Sequence, residues 1–225
     1  MSDLAPANRA LADLLVGLGS AAGLFFGTIL LAGLLGAFGD PDHVFVQHFA
    51  DTGNRAQDLA GSALLVIGGL LFIPFILGIT ARVWPSSGNI QATVRSLTIV
   101  ITALVCVAAA ALSAVDFSRL LADVFNEDSQ PFGGDQAAVL PQLGYMILLL
   151  AAAYLSAVVV ATLSVAALRR GGLNRGTAWV GLAASALLLL SPAVLPFIVL
   201  PAWILLAAVT TWAWDGSRAQ RSGRD

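Results

Sequence analysis

Two charged segments are the places in this chain where residue type and spacing suggest chemistry. Asp51, Arg55 and Asp58 follow an i, i+4, i+7 spacing, and Asp116, Arg119 and Asp123 follow i, i+3, i+7. On a helix each set shares one face. Carboxylates beside guanidinium groups can hold a polar ligand or a partner, form local ion pairs that anchor a helix end, or act as acid and base. Asp51, Arg55, Asp58, Asp116 and Arg119 are therefore the candidate ligand or partner site. The acid–base reading is the weakest, because an exposed acid with an ordinary pKa is a poor general acid.

Other chemistry is disfavoured residue by residue. His43 and His48, with Asp40, Asp42 and Asp51, are metal-ligand types. The histidines lie five apart, about 140° around a helix, which matches no recognised site, so they are expected to be solvated loop residues. Cys106 is the only cysteine and sits in an apolar run, which excludes an internal disulfide and a thiolate cage. A retinal protein needs a membrane lysine, and the chain has none. A membrane cytochrome needs histidine ligands within helices. An intramembrane metalloprotease needs His and acidic ligands there. A proton-coupled antiporter needs a buried carboxylate, and the apolar runs carry almost no ionisable residue. The sequence thus predicts no catalytic residue, no metal and no cofactor.

The elements that must position the charged segments are membrane helices. Of 225 residues, 58% are hydrophobic and 11% charged, where a soluble domain carries roughly a quarter charged; the mean hydropathy is +0.88. A membrane span needs about 20 apolar residues and must be helical, since lipid cannot satisfy free backbone groups. Five apolar blocks qualify. The last is about twice the needed length and holds Pro192, Pro196 and Pro201, so it divides. The expected fold is all-α: a polytopic bundle of six spans at about 11–38, 59–84, 97–115, 139–168, 177–192 and 197–214, with a flexible tail at 215–225. The first block is far longer than a signal-peptide core of roughly 7–15 residues and reads as a retained span.

Arginine sets the orientation. Arg9, Arg82, Arg95, Arg169, Arg170, Arg175, Arg218, Arg221 and Arg224, nine of the eleven, fall on one side of the six-span scheme. Arg55, Arg119 and most of the acids fall on the other. Basic residues in short loops stay in the cytoplasm, so both termini are expected inside, in a bacterial cytoplasmic membrane. Trp84, Trp179, Trp212 and Trp214 lie at the same ends, where an indole anchors at the interface; Trp203 is the exception. Basic residues are all arginine, and Ala, Gly and Leu abound, as in a G+C-rich bacterial genome. In the first outer loop Val44, Phe45, Val46 and Phe49 predict a short interfacial helix. Beyond Asp116, span three is expected to run on for about two turns.

Gly19, Gly23 and Gly27 form a four-residue repeat on one face of span one. Small residues at this spacing let helices approach closely, either within the chain or in a homodimer; Leu30 is assigned to the lipid side. Asn54 and Gln57 resemble a capping box, and Pro74 is expected to kink span two. Spans two and three are joined by about a dozen residues and should be neighbours, bringing Arg55 and Arg119 near Asp58 and Asp116.

The stretches FADTGNRAQDLAGSALLVIGGLLFIPFILGITARV and LRRGGLNRGTAWVGLAASALLLL resemble segments of a family of uncharacterised six-span membrane proteins, mainly actinobacterial, known as a domain of unknown function. The matching residues are Asp51, Asn54, Arg55, Asn174, Arg175, Trp179 and Gly181; Asn174 stands near where that family places a proline. The resemblance implies the six-span layout and no activity. The expected function is non-enzymatic: an accessory, regulatory, or lipid- or partner-binding membrane protein. The alternative is a small-solute binding or transport component with an outward-facing site. The lipid bilayer is the expected surroundings, with a homodimer or another membrane protein as candidate partner and no nucleic acid.

Overall fold

The computed structural model describes residues 6–37, 52–85, 88–125, 134–189 and 195–222. Within them the chain is helical: α1 (Pro6–Ala37), α2 (Thr52–Val83), α3 (Asn89–Phe125), α4 (Gly134–Met146), a π-helical segment (Ile147–Ala152), α5 (Ala153–Arg170), α6 (Arg175–Leu189) and α7 (Leu195–Ser222). Four apolar stretches, Leu11–Leu31, Gly53–Val83, Asn89–Ala122 and Val139–Arg170, are long enough to cross a membrane. Two shorter apolar helices, Arg175–Leu189 and Ile198–Trp214, follow. The chain is a multi-pass membrane protein.

Each helix packs on the next in sequence, and α7 returns to α1, which closes the bundle into a ring; α5 also reaches α2 and α3. The tightest seam joins α1 to α2. A Cβ built on Gly23 would lie 2.6 Å from the Gly68 Cα, and one on Gly27 would lie 2.8 Å from the Gly61 carbonyl oxygen. A Cβ on Gly19 would meet the Leu71 side chain at 2.7 Å. The glycine face of span one is thus spent inside the chain, where backbones meet because side chains are absent. The Ser20 hydroxyl donates to the Gly68 carbonyl at 3.0 Å, and the Thr102 hydroxyl of α3 donates to the Gly69 carbonyl at 3.0 Å. Adjacent glycines of α2 therefore bind its two neighbours through exposed backbone. At the other side of the ring, the Thr177 and Thr210 hydroxyls lie 2.9 Å apart, while Gly181 faces Trp203. The pairing makes α6 and α7 antiparallel.

Several helices run further than hydropathy suggests. α2 starts at Thr52, so Asn54–Asp58 are helical, and α3 continues past Asp116 to Phe125. Proline is accommodated inside α2, α4 and α7 at Pro74, Pro141 and Pro201. The π-helical segment follows Pro141 and Gly144, whose built Cβ would sit 2.8 Å from the Ala108 carbonyl oxygen of α3. Proline and a close backbone approach are recognised causes of such local rewinding.

Three local expectations are corrected. Leu30 is half-buried rather than fully open to lipid: it packs over Gly61, whose built Cβ would lie 3.1 Å from the Leu30 Cβ. Gln57 caps nothing; its Nε2 donates 2.8 Å to the Leu30 carbonyl of α1. Trp84 is not an exposed interfacial anchor but is buried with Val83 under the end of α2. Trp179, Trp212 and Trp214 are exposed. The outer-loop helix around Val44–Phe49, the two histidines, Asp51 and Pro192 lie outside the described residues.

Candidate functional site

At the aspartate-rich end, helix extension carries charge into the protein interior. Asp58 on α2 is 1% exposed and Asp116 on α3 is 0% exposed. Arg55 and Arg119 are half-buried one turn away on the same helices. All four, with Asn54, take part in polar or electrostatic interactions within the protein. Asp123 is helical, its side chain outside the description, and Asp51 is not described. The extended helices therefore bring Arg55, Asp58, Asp116 and Arg119 to one end of neighbouring helices.

Tyr145 on α4 belongs to this end too, and its place was not expected. Its ring is buried and its hydroxyl donates to the Leu31 carbonyl of α1. The available signal was a tyrosine in an apolar run, since a buried phenol needs a partner for its hydroxyl. At this end Gln57 of α2 and Tyr145 of α4 are both tied to the end of α1, beside the buried Asp58 and Asp116. A buried charge is costly unless it is paired, so this end is held by interactions that tolerate little change.

Among the described residues, a small void lies inside the bundle. A cavity of about 10 Å³ lies among Leu24, Gly69, Phe72, Ile101, Thr102, Val105, Ser156 and Leu200. That is about one water-sized probe. Its walls are mostly apolar, and it offers no room for a solute.

The arginine-rich end is built differently. Arg82 in the last turn of α2 places its Nη2 2.6 Å from the Asp13 Oδ2 of α1. Their side chains are 21% and 35% exposed. Beside the pair opens a cavity of about 190 Å³, lined by Arg82, Gly172, Leu173, Asn174, Thr210, Thr211 and Trp214. It lies between the end of α2, the α5–α6 turn and α7. The turn follows from its residues. Gly171 and Gly172 have φ of +84° and +97°, a region open mainly to glycine, and the Gly171 N–H closes α5 on the Ala167 carbonyl at 2.8 Å. A Cβ on Gly172 would come within 2.9 Å of the Arg82 carbonyl oxygen, so glycine is what lets the turn dock under α2. Asn174 caps α6: its Oδ1 accepts from the Gly176 N–H at 3.0 Å.

In the sequence Arg82 served only to orient the chain, and its pairing with Asp13 was not expected. Opposite charges at matching heights on consecutive spans were the signal for their pairing. Among the described residues no three His, Cys, Asp or Glu side chains come together as metal ligands. Compared with family models, curated proteins and solved structures, the chain matches none.

Proposed function

We propose that this chain is a non-enzymatic, six-span protein of a bacterial cytoplasmic membrane, with both termini inside, that binds a lipid or partner at its cytoplasmic face as an accessory or regulatory component. The observation that carries the reading is the polar cavity of about 190 Å³ at the arginine-rich end. A polar recess at a membrane interface is suited to binding a ligand there. The positive-inside rule assigns that end to the cytoplasm, and exposed Trp179, Trp212 and Trp214 suit the headgroup level. The likeness to uncharacterised six-span bacterial proteins belongs to the same reading.

The test is retention. The full chain, extracted from bacterial membranes in mild detergent, should keep about one lipid or protein ligand per chain, read by mass spectrometry. Thr211→Trp, which fills the cavity, should lose it. A chain that retains nothing, or a variant that retains it undiminished, would overturn the proposal.

A second reading, a small-solute component with an outward-facing site, draws support from the burial of Asp58 and Asp116. It requires that a polar solute stabilise the chain and that Asp116→Asn abolish the effect.

A further inference from the structure

We propose that the small void inside the bundle binds one water molecule, which the Ser156 hydroxyl of α5 holds against the Thr102–Gly69 pair of α3 and α2. The site lies in the bundle interior, apart from the cavity at the arginine-rich end.

The place is far from bulk water. Ser156, Thr102 and Gly69 each lie thirteen or fourteen residues from the arginine-rich end of their helices, which is about 20 Å along a helix. That depth is well inside a hydrocarbon core of about 30 Å. A hydroxyl there cannot be hydrated from either surface, and elsewhere in the bundle hydroxyls turn back on their own helices. Thr28 donates to the Leu24 carbonyl at 2.6 Å, Thr80 to that of Ile76 at 2.6 Å, and Thr98 to that of Val94 at 2.8 Å. Ser156 makes no such bond. It is fully buried, and its Oγ has no hydrogen-bond partner among the described residues. A buried hydroxyl left in that condition is costly. Ser62 and Ser164 share it, but of the three Ser156 is the one that lines the void.

The void, about 10 Å³, is at the lower limit of room for one water. A buried water also needs about two to four polar partners, and the wall provides them. The Thr102 hydroxyl donates to the Gly69 carbonyl at 3.0 Å, and both residues line the void. After that bond the hydroxyl oxygen and the carbonyl each keep a lone pair. A water that accepts from Ser156 and donates to these two oxygens satisfies the serine and is itself held. Other occupants fit worse. No charged side chain lines the void, so an ion would be buried without a counter-charge, and an apolar occupant would leave Ser156 as it stands. The water also has a packing role. α5 packs chiefly on α6 and reaches α2 and α3 less closely, so the bridge supplies a polar tie from α5 to the α2–α3 seam. The π-helical segment ends four residues before Ser156, at Ala152, and its wider winding sets the face that α5 turns to the void.

The experiment is hydroxyl-radical labelling of the full chain in detergent, by X-ray pulses in heavy-oxygen water, read residue by residue by mass spectrometry. The pulse makes radicals from water in place, so a side chain out of reach of bulk solvent is labelled only beside a bound water. Phe72, buried on the void wall, should be labelled several-fold more than Phe75, buried but not on that wall. Ser156→Val, which removes the hydroxyl and fills the void, should bring Phe72 down to the level of Phe75. The sign of the stability change in Ser156→Ala is the second readout. Deleting a hydroxyl that holds a water should lower the unfolding midpoint by about 2–4 °C, the shift of one hydrogen bond in a chain of this size. Deleting an orphaned hydroxyl from a dry void should raise it. Phe72 labelled no more than Phe75, label persisting in Ser156→Val, or a Ser156→Ala chain more stable than the parent would each overturn the proposal. If Ser156→Val fails to fold, the Phe72 to Phe75 ratio of the parent and the sign for Ser156→Ala decide.

Discussion

The two ends of this bundle hold the same kinds of side chain in opposite circumstances. At the aspartate-rich end Asp58 and Asp116 are 1% and 0% exposed. At the arginine-rich end Asp13 and Arg82 form a 2.6 Å bridge yet remain 35% and 21% exposed. The difference is one of solvent. A charge out of water depends on its partners, whereas a hydrated pair is screened and contributes little. The first end therefore depends on the groups that enclose its acids, whereas the second keeps its ion pair partly outside the protein interior. Burial, more than pairing, separates a staple from a site.

The largest expected effect tests which end faces inward. Reporter fusions after Ser87, Gly172 and Ser222 should read cytoplasmic, and fusions near Gly53 and Gly133 external. The signal is all-or-none. A cytoplasmic reading at Gly133 would reverse the comparison, because the assignment rests on alternating arginine loops.

The buried end comes next. Asp116→Asn should destabilise the protein by about 3–5 kcal/mol, the usual cost of removing one member of a buried charged group, measured as thermal unfolding in detergent. Combined with Arg55→Gln it should be non-additive by about 0.5–3 kcal/mol if the two act in one network. Near-zero, additive effects at ordinary salt would show that water reaches this end after all and would dissolve the contrast.

How much of this was legible in the sequence depends on which force does the work. The helical class and the long apolar stretches follow from hydropathy, since lipid leaves the backbone one way to satisfy itself. The glycine repeat pointed to close packing but not to a partner: Gly23 opposite Gly68 and Gly27 opposite Gly61 need both helices, and no periodicity within α1 names α2. The charged spacings pointed to helix, but hydropathy ended the spans at Leu59 and Val115 because Asp58 and Asp116 are polar. What hides them is neighbouring helices, which a one-dimensional scale does not see. Gln57 and Tyr145 were unreadable for the same reason, as each spends its side chain on a carbonyl of α1. The cavity depends on Gly172 at φ +97° beside the Arg82 carbonyl, a juxtaposition of residues ninety positions apart.

The seam that joins the two ends should respond between these extremes. A side chain at Gly23 has Gly68 backbone at 2.6 Å and the Leu64 carbonyl oxygen at 2.8 Å, neither of which can rotate aside. Gly23→Leu should cost about 1–3 kcal/mol or more by overpacking. Ile29→Ala, on a residue 44% exposed toward lipid, should cost much less. Equal stability of the two would remove the glycine seam from the account.

The smallest effect is expected from the shortest ion pair. Asp13→Asn removes a 2.6 Å bridge, and distance alone would make it the most damaging substitution discussed. Exposure argues otherwise: both side chains lie partly outside the protein interior, and at a hydrated interface the Coulomb gain is reduced and the guanidinium left behind can be solvated. The expected loss is about 0–1 kcal/mol and is largest at low ionic strength. Unfolding of Asp13→Asn should be compared with the parent chain across a salt series, beside Asp116→Asn. A loss as large as that of Asp116→Asn, and insensitive to salt, would mean that Asp13 and Arg82 are as enclosed in lipid as the charges at the far end. The arginine-rich end would then be a second staple, with its ion pair holding α1 on α2.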